Sequence, residues 1–455
     1  MFIGRLSERK ILEDIFASQK SGLVILYGRL GMGKTALVSE FIRDKQAYYY
    51  LCRDCTEREQ VYTMRRESEK DFENLEAERL GDFLQAVAGP DKNGSVRHIV
   101  VLDEFHLCMK ENGLSQALVS ILSDKDRFEH VLFVLCSSSV NWVENEMVSE
   151  LGAAARYIIK FMKLKELGFL ELGQWFPRFS IEECIAVNAV TGGIPAYLER
   201  WDERKSAAAN IKKLFLEENA PLYREAENVL NTELRELSAY NTILASLAMG
   251  RCKLNDIYLR TGFSRAKISV YIKNLIKLDV VEKVFSTDSG NSDNAQKGLY
   301  RIRDNFLDFW YRFVFSNRSA IALGKGEELF EEKLKNEFRE YQYESFAGLC
   351  LEYLKLMGRH KRLKADYDRW GSWHGKTGRI DILAADAGGK TLAAVCNWGD
   401  RRPNADMYNE ILDIVHSAGI KPEEIYLFTQ KSISAEAMSL FQKQSLIKVV
   451  ELKDM

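Results

Sequence analysis

Apolar residues fall along this chain in two rhythms. Some form short unbroken runs, as in Gly22-Leu23-Val24-Ile25-Leu26-Tyr27, Ile99-Val100-Val101-Leu102 and Val131-Leu132-Phe133-Val134-Leu135-Cys136. Runs of this length without a polar break suit strands buried on both faces. Others recur at helical spacing, as in Ala36-Leu37-Val38-Ser39-Glu40-Phe41-Ile42. In the N-terminal arm, Leu12, Ile15 and Phe16 share one helical face, with Ser7 as the expected N-cap. Tyr48-Tyr49-Tyr50-Leu51 predicts a further strand, followed by a highly charged helical stretch over residues 57–90. Strands alternating with helices through residue 160 predict an α/β fold with a doubly wound parallel sheet. Ligands of such a sheet gather at the carboxyl ends of its strands.

The first run leads into Gly28-Arg29-Leu30-Gly31-Met32-Gly33-Lys34-Thr35, which fits G-x-x-x-x-G-K-[ST] at every fixed position. Glycines let the backbone curl until several N–H groups point at one phosphate, and the helix that follows adds the partial positive charge of its N-terminus. The expected phosphate cradle runs from Gly28 to Ala36, with Lys34 spanning the β- and γ-phosphates and Thr35 giving its hydroxyl to Mg²⁺. The second run ends in Asp103-Glu104-Phe105. Asp103 is the expected acid of the Mg²⁺ shell, and Glu104 the group that polarises an attacking water. The third run ends in Ser137-Ser138-Ser139, where Ser137 or Ser138 could sense the γ-phosphate; Ser138 joins Glu104 and Lys34 in the catalytic set.

Composition narrows the class. The chain has 455 residues, enough for about three domains. With 64 basic and 66 acidic residues, whole-chain charge points to no partner, so local charge must decide. Six prolines and 29 glycines are too few for low complexity, and no apolar run is long enough to span a membrane. The chain opens without the charged lead and apolar run of a secretion signal. Eight scattered cysteines, Cys108, Cys136 and Cys396 among them in apolar stretches, suit reduced thiols in a cytosol. The lone C-x-x-C, Cys52-Arg53-Asp54-Cys55, lacks the second pair a metal site needs.

Further along, residues 161–235 are helical in pattern and interrupted by Thr191-Gly192-Gly193-Ile194-Pro195. Residues 236–318 predict three helices, with Ser264 capping the third, and then two strands, 280–285 and 299–303, around a polar loop. This is a winged helix-turn-helix pattern. Eight Lys or Arg against three acids lie between Arg251 and Lys283, and Arg265 and Lys267 stand where a groove-reading helix carries its contacts. Double-stranded DNA is one expected partner of this module, and protein docking is the other.

Gly4-Arg5 in the arm, the loop from Gly28 to Thr35, Leu102-Asp103-Glu104-Phe105, the strand ending at Ser137-Ser138, and Gly192-Gly193-Ile194-Pro195 together resemble the archaeal-type ATPase family of the AAA+/STAND class. The resemblance covers nearly the whole chain. It implies a P-loop NTPase core over residues 1–160, a helical lid over 161–235, the winged helix over 236–318 and a restriction-endonuclease-like α/β domain over 325–455. It places Pro195 beside the adenine together with Phe2 and Ile3, and makes Arg156 a phosphate-directed arginine.

The last domain resembles the PD-(D/E)XK nuclease fold, in which a helical Glu, a strand Asp and an acid-x-Lys on the next strand hold Mg²⁺. Asp381 supplies the strand acid, but Val395 and Asn397 stand at the acid and lysine positions, and Ala347 at the helical one, with Glu344 a turn earlier. One carboxylate cannot neutralise a divalent ion as two or three can, so the domain is expected to keep the fold without cleavage. Between Lys355 and Arg379 stand eight Lys or Arg and two acids, interleaved with Tyr367, Trp370 and Trp373, a nucleic-acid signature by charge and stacking. The expectation is a cytoplasmic, ATP-binding and ATP-hydrolysing switch that acts on DNA, a protein partner or further copies of itself, with no membrane. An ATP-gated nuclease and a non-hydrolysing regulator are the alternatives.

Overall fold

The structure, a computed structural model, describes residues 2–68, 77–89, 98–111, 113–128, 130–284, 299–444 and 446–455. Its residues form two compact units: one runs up to Leu167 and includes Ile194–Glu199, and the other comprises Gly168–Gly193 and Arg200–Met455.

The first unit is built on a parallel five-stranded sheet of β1 (Gly22–Tyr27), β2 (Ala47–Leu51), β3 (Ile99–Asp103), β4 (Leu132–Ser137) and β5 (Ile158–Lys163), in the order β2-β3-β4-β1-β5. β3 and β4 are buried at every residue, which is why their sequences carry no polar break. In register, Gly22 aligns with Leu132 and Tyr27 with Ser137, so β1 and β4 end side by side. Two helices bear on the site: α1 (Leu6–Ala17) in the arm and α2 (Lys34–Ile42) after β1. The N-cap of α1 is Arg5 in a left-handed conformation, and the Ser7 hydroxyl, expected to cap, instead donates to Glu8 Oε2 at 2.7 Å. The charged stretch from residue 57 holds helices at Glu57–Glu67 and Leu80–Ala88; residues 69–76 and 90 of it lie outside the described residues. β5 runs three residues past the core boundary expected at 160.

In the second unit, α3 (Ile181–Thr191) starts in a capping box of Ser180 and Glu183 and stops at Gly192, which is left-handed. Pro195 then opens the short helix Pro195–Leu198, which belongs to the first unit. The residues 161–235 expected as one lid are thus divided between the two units.

The stretch expected as a winged helix forms α4 (Leu237–Ala248), α5 (Leu254–Thr261) and α6 (Arg265–Lys277), with Ser264 accepting from Lys267 N at 3.2 Å as the cap. β6 (Val281–Val284) and β7 (Leu299–Ile302) pair antiparallel; Phe285 and the polar loop after it lie outside the described residues.

The C-terminal sheet joins β8 (Arg369–His374), β9 (Arg379–Ala385), β10 (Thr391–Asn397), β11 (Glu424–Thr429) and β12 (Ile447–Glu451), in the order β12-β11-β10-β9-β8. Helix α7 (Tyr343–Arg359) packs Phe346, Cys350 and Leu354 on one face against Ala394, Cys396 and Phe428. On the other face, α8 (Ala405–Ser417) packs Tyr408 and Ile411 against Ala393 and Leu427. Neighbouring residues of β10 thus feed opposite cores, as a pleated strand requires. Among the described residues, no helix is long and apolar enough to cross a membrane.

Candidate nucleotide site

β1 delivers the chain to Gly28 at the carboxyl edge of the first sheet, where a side chain has no room: an ideal Cβ would lie 2.8 Å from the Leu164 carbonyl oxygen. Gly31, at φ +83°, turns its own carbonyl to accept from Ala196 N at 3.2 Å. The loop then enters α2 at Lys34, which is buried. The Lys34 ammonium donates to Gly28 O at 2.9 Å and Arg29 O at 3.3 Å, and lies 3.8 Å from Glu104 Oε1. Of the remaining loop residues Met32 is buried, Arg29 and Gly33 are half-buried, and Leu30, Thr35 and Ala36 are exposed.

β3 brings up the acids. The Thr35 hydroxyl donates to Asp103 Oδ2 at 2.6 Å, and the Tyr49 hydroxyl to the same oxygen at 3.0 Å. Glu104 N donates to Asp103 Oδ1 at 3.0 Å. Glu104 itself sits at φ +54°, a conformation costly for a side chain of its kind and concentrated at working sites. Its Oε2 accepts from Ser138 N at 2.7 Å and Ser138 Oγ at 2.8 Å, with His106 Nδ1 at 3.4 Å. Ser137 Oγ lies 3.1 Å from that same His106 nitrogen and accepts from Ser139 N at 3.2 Å. Of the two serines, Ser138 is the one that holds the glutamate. Lys34, Thr35, Asp103, Glu104 and Ser138 are therefore one cluster.

The arm joins this cluster through Arg5. Its buried guanidinium donates to Met32 O at 3.0 Å and to Lys165 O, tying loop, arm and the segment after β5 together. Phe2 and Ile3, just ahead of it, are half-buried. Pro195 lies beside the loop, its Cγ 3.7 Å from where a Gly33 Cβ would stand.

Arg156 is a correction. It is exposed, donates to Tyr157 OH at 2.7 Å, and precedes β5, whose Ile158 aligns with Leu23 at the start of β1. It stands at the amino edge of the sheet while the loop leaves the carboxyl edge, about 20 Å away at the usual rise per strand residue. A phosphate in this loop is out of its reach.

Sequence reading missed Tyr49, His106 and the bonding role of Arg5. Tyr49 was legible only as strand, though its place two before Leu51, which aligns with Asp103, puts it on the acid's face. Burial first, then the Asp103 carboxylate, hold its phenol above the ordinary tyrosine range, so it stays a donor.

Away from the loop, Arg265 and Lys267 lie together and exposed at the start of α6. Arg265 Nη2 donates to Asn255 Oδ1 at 2.9 Å and stacks on Tyr258, and Lys267 Nζ lies 4.5 Å from the Phe263 ring centroid. In the C-terminal domain, Asp381 Oδ1 accepts from Tyr343 OH at 2.7 Å and Oδ2 from Cys396 N at 2.7 Å, and Arg379 pairs with it. Glu344 pairs with the same arginine at 3.3 Å and with Arg301 at 3.0 Å. Asn397 Nδ2 donates to Arg401 O and Thr429 Oγ1. Of the three aromatics expected to stack on bases, Tyr367 and Trp373 are buried in the domain cores, and Trp370 is half-buried with its indole N–H on Tyr367 O at 3.2 Å. Their apolar bulk is spent on packing. All eight cysteines are free thiols.

A parallel sheet whose inner strand β1 turns through a glycine-lined loop into a lysine-led helix, with two acids from the end of β3, defines a P-loop ATPase domain. The chain carries an archaeal-type ATPase domain. Residues 2–201 match the ATPase domain predominantly from Archaea, and residues 310–408 match a domain described as archaeal and bacterial proteins of unknown function. An uncharacterized protein of Methanocaldococcus jannaschii is 27% identical over 413 residues, 88% of each chain. An ATP-binding protein of the same organism is 41% identical over 46 residues, 10% of this chain and 78% of that one. Among solved structures, the Walker-type ATPase of Pyrococcus abyssi aligns over 68% of this chain and 96% of its own, at 17% identity and a TM-score of 0.49.

Proposed function

We propose that the protein is an ATP-binding and ATP-hydrolysing switch. The reading is carried by one observation, the meeting of Lys34 and Thr35 with Asp103 and Glu104 at one sheet edge. Lys34 and the loop amides bind and orient the β- and γ-phosphates. Glu104 takes the proton of the attacking water, and Ser138 holds that carboxylate in place. Pro195, with Phe2 and Ile3 on the arm, is the proposed wall for the adenine.

The residues also fit a magnesium ion. A hydroxyl and a carboxylate oxygen 2.6 Å apart are a hard oxygen pair of the kind that ion takes, the rest of its shell coming from water and phosphate. Thr35 and Asp103 would hold it, and when bound it supplies positive charge to the phosphates.

In the second unit, exposed Arg265 and Lys267 at the start of a capped helix support DNA backbone binding, coupled to nucleotide state through the lid. A protein partner or further copies of the chain are the other candidates for what the switch acts on. The C-terminal domain is proposed not to cleave DNA, because Arg379 already neutralises the two acids nearest a metal position, Asp381 and Glu344. Burial lifts the Asp381 carboxyl above its ordinary range, further weakening it as a ligand.

The test is nucleotide binding and phosphate release measured on wild type, Lys34→Ala and Glu104→Gln. Loss of binding in the first and retained binding without turnover in the second support the reading, and unchanged turnover in both overturns it. Magnesium-dependent DNA cleavage that disappears in Asp381→Ala would favour the nuclease instead.

A further inference from the structure

Three tyrosines stand in a row on β2, and their hydroxyls go to different places. Tyr50 turns into the core, where Gln60 Oε1 lies 2.8 Å from its hydroxyl and Thr63 Oγ1 2.6 Å. Tyr48 packs its ring on Phe83, with centroids 5.7 Å apart. Tyr49 lies on the opposite face of the strand, about a third exposed, where water would satisfy its hydroxyl at no cost. Instead that hydroxyl reaches Asp103 Oδ2.

The choice has a consequence for the acid. Asp103 is held by three donors from three places: Thr35 in α2, the amide of Glu104 on its own turn, and Tyr49 on the neighbouring strand. Thr35 and the Glu104 amide belong to the parts of the chain proposed to meet the nucleotide. Tyr49 belongs to a sheet strand paired in register with β3, Tyr49 opposite Val101 and Leu51 opposite Asp103. It is the donor that comes from neither the phosphate loop nor the acid's own turn, and its hydroxyl also meets the Thr35 side chain.

We propose that Tyr49 is a positioning residue for the divalent cation, its hydroxyl fixing the orientation of Asp103 and thereby setting how much cation the site needs. This rests on the reading that the loop binds a magnesium nucleotide. Partners that orient a metal-holding carboxylate without touching the metal change metal affinity while leaving other contacts alone. Tyr49 meets Asp103 and the Thr35 hydroxyl, the two groups that would hold the cation, and bonds neither the lysine nor a loop amide, so its effect should be confined to the cation.

The experiment measures the affinity of a fluorescent ATP analogue in EDTA and across a magnesium series, for wild type, Tyr49→Phe, Asp103→Asn and the double variant. Tyr49→Phe removes one oxygen and keeps the ring, and a melting curve checks that it folds as wild type does. The expected result is affinity in EDTA within about twofold of wild type and a magnesium midpoint raised about tenfold, at the low end for such partners. In the Asp103→Asn background, Tyr49→Phe should add nothing, because the acid it orients is gone. An unchanged magnesium midpoint, an equal loss with and without magnesium, or an additive loss in the double variant overturns the proposal and leaves the nucleotide reading standing. If wild type binds no analogue, the nucleotide reading itself falls and this proposal with it; equal binding with and without magnesium overturns the cation site and this proposal, and leaves nucleotide binding standing.

Discussion

The Thr35 hydroxyl and the Asp103 carboxylate are joined at 2.6 Å although they come from different elements 68 positions apart in the chain. Only β4 stands between the loop's strand and the acid's strand, because the order is β3-β4-β1 in a parallel sheet, so the two motifs open onto the same edge. What the sheet brings together there is a lysine, a hydroxyl and two acids.

Lys34→Ala should weaken nucleotide binding about ten- to a hundredfold, since a charged hydrogen bond to phosphate contributes about 1.5–3 kcal/mol. Glu104→Gln keeps the shape and most of the bonds of the glutamate but cannot take a proton. It should bind as wild type does and turn over about 10²- to 10⁴-fold more slowly, the usual contribution of a general base. Fluorescence titration and a phosphate-release assay separate the two.

Arg156→Ala should leave nucleotide affinity and turnover within about twofold of wild type, because the residue sits at the far edge of the sheet from the loop. A loss of tenfold or more, measured in the same assay, would mean that it meets phosphate held by another molecule.

An Arg265/Lys267 double alanine variant should bind duplex DNA less tightly and with a salt dependence shallower by about two in log–log slope, each phosphate contact contributing about 0.9. A gel-shift series over salt concentration checks this. Equal slopes for variant and wild type would point to a protein surface as what this helix meets.

Asp308 gives a pH dependence of stability. It is half-buried, and loss of water around its carboxyl, the largest cause, pushes its pKa up to about 7 against the pull of a Tyr341 hydrogen bond and the Arg312 charge. The folded chain therefore keeps a proton that the unfolded chain has released above about pH 4, so stability should fall as pH rises from about 4 to 7 and level off beyond. Asp308→Asn should flatten that part of the profile, read as melting temperature against pH.

Much of this was legible before the structure, and the reason is local. The loop, the strand before it, the helix after it and the paired acids are contiguous signals whose chemistry needs fixed spacing, so Gly28 to Thr35 and Asp103-Glu104 read directly. Ser264 likewise marks the start of its helix by its own side chain. What was hidden depends on register between distant strands. Tyr49 reaches Asp103 only because β2 pairs with β3, and Arg156 is excluded only because β5 pairs with β1 in parallel from Ile158 onward. The aromatics at Tyr367 and Trp373 misled for a related reason: composition counts rings but not the face of the sheet they enter. Arg5 could be seen as a motif residue, yet its carbonyl partners on Met32 and Lys165 are set by the return of the chain after β5.

That return also decides where the first unit can be cut. Gly28 leans on the carbonyl of Leu164, and β5 covers the outer side of β1 as far as Lys163. A fragment ended at residue 160 would strip half of that cover, leaving apolar β1 with bare amides toward solvent and the glycine turn without its backstop. Such a piece invites strand addition and clumping, so an isolated ATPase portion will stay in solution only if it carries the chain through Leu167.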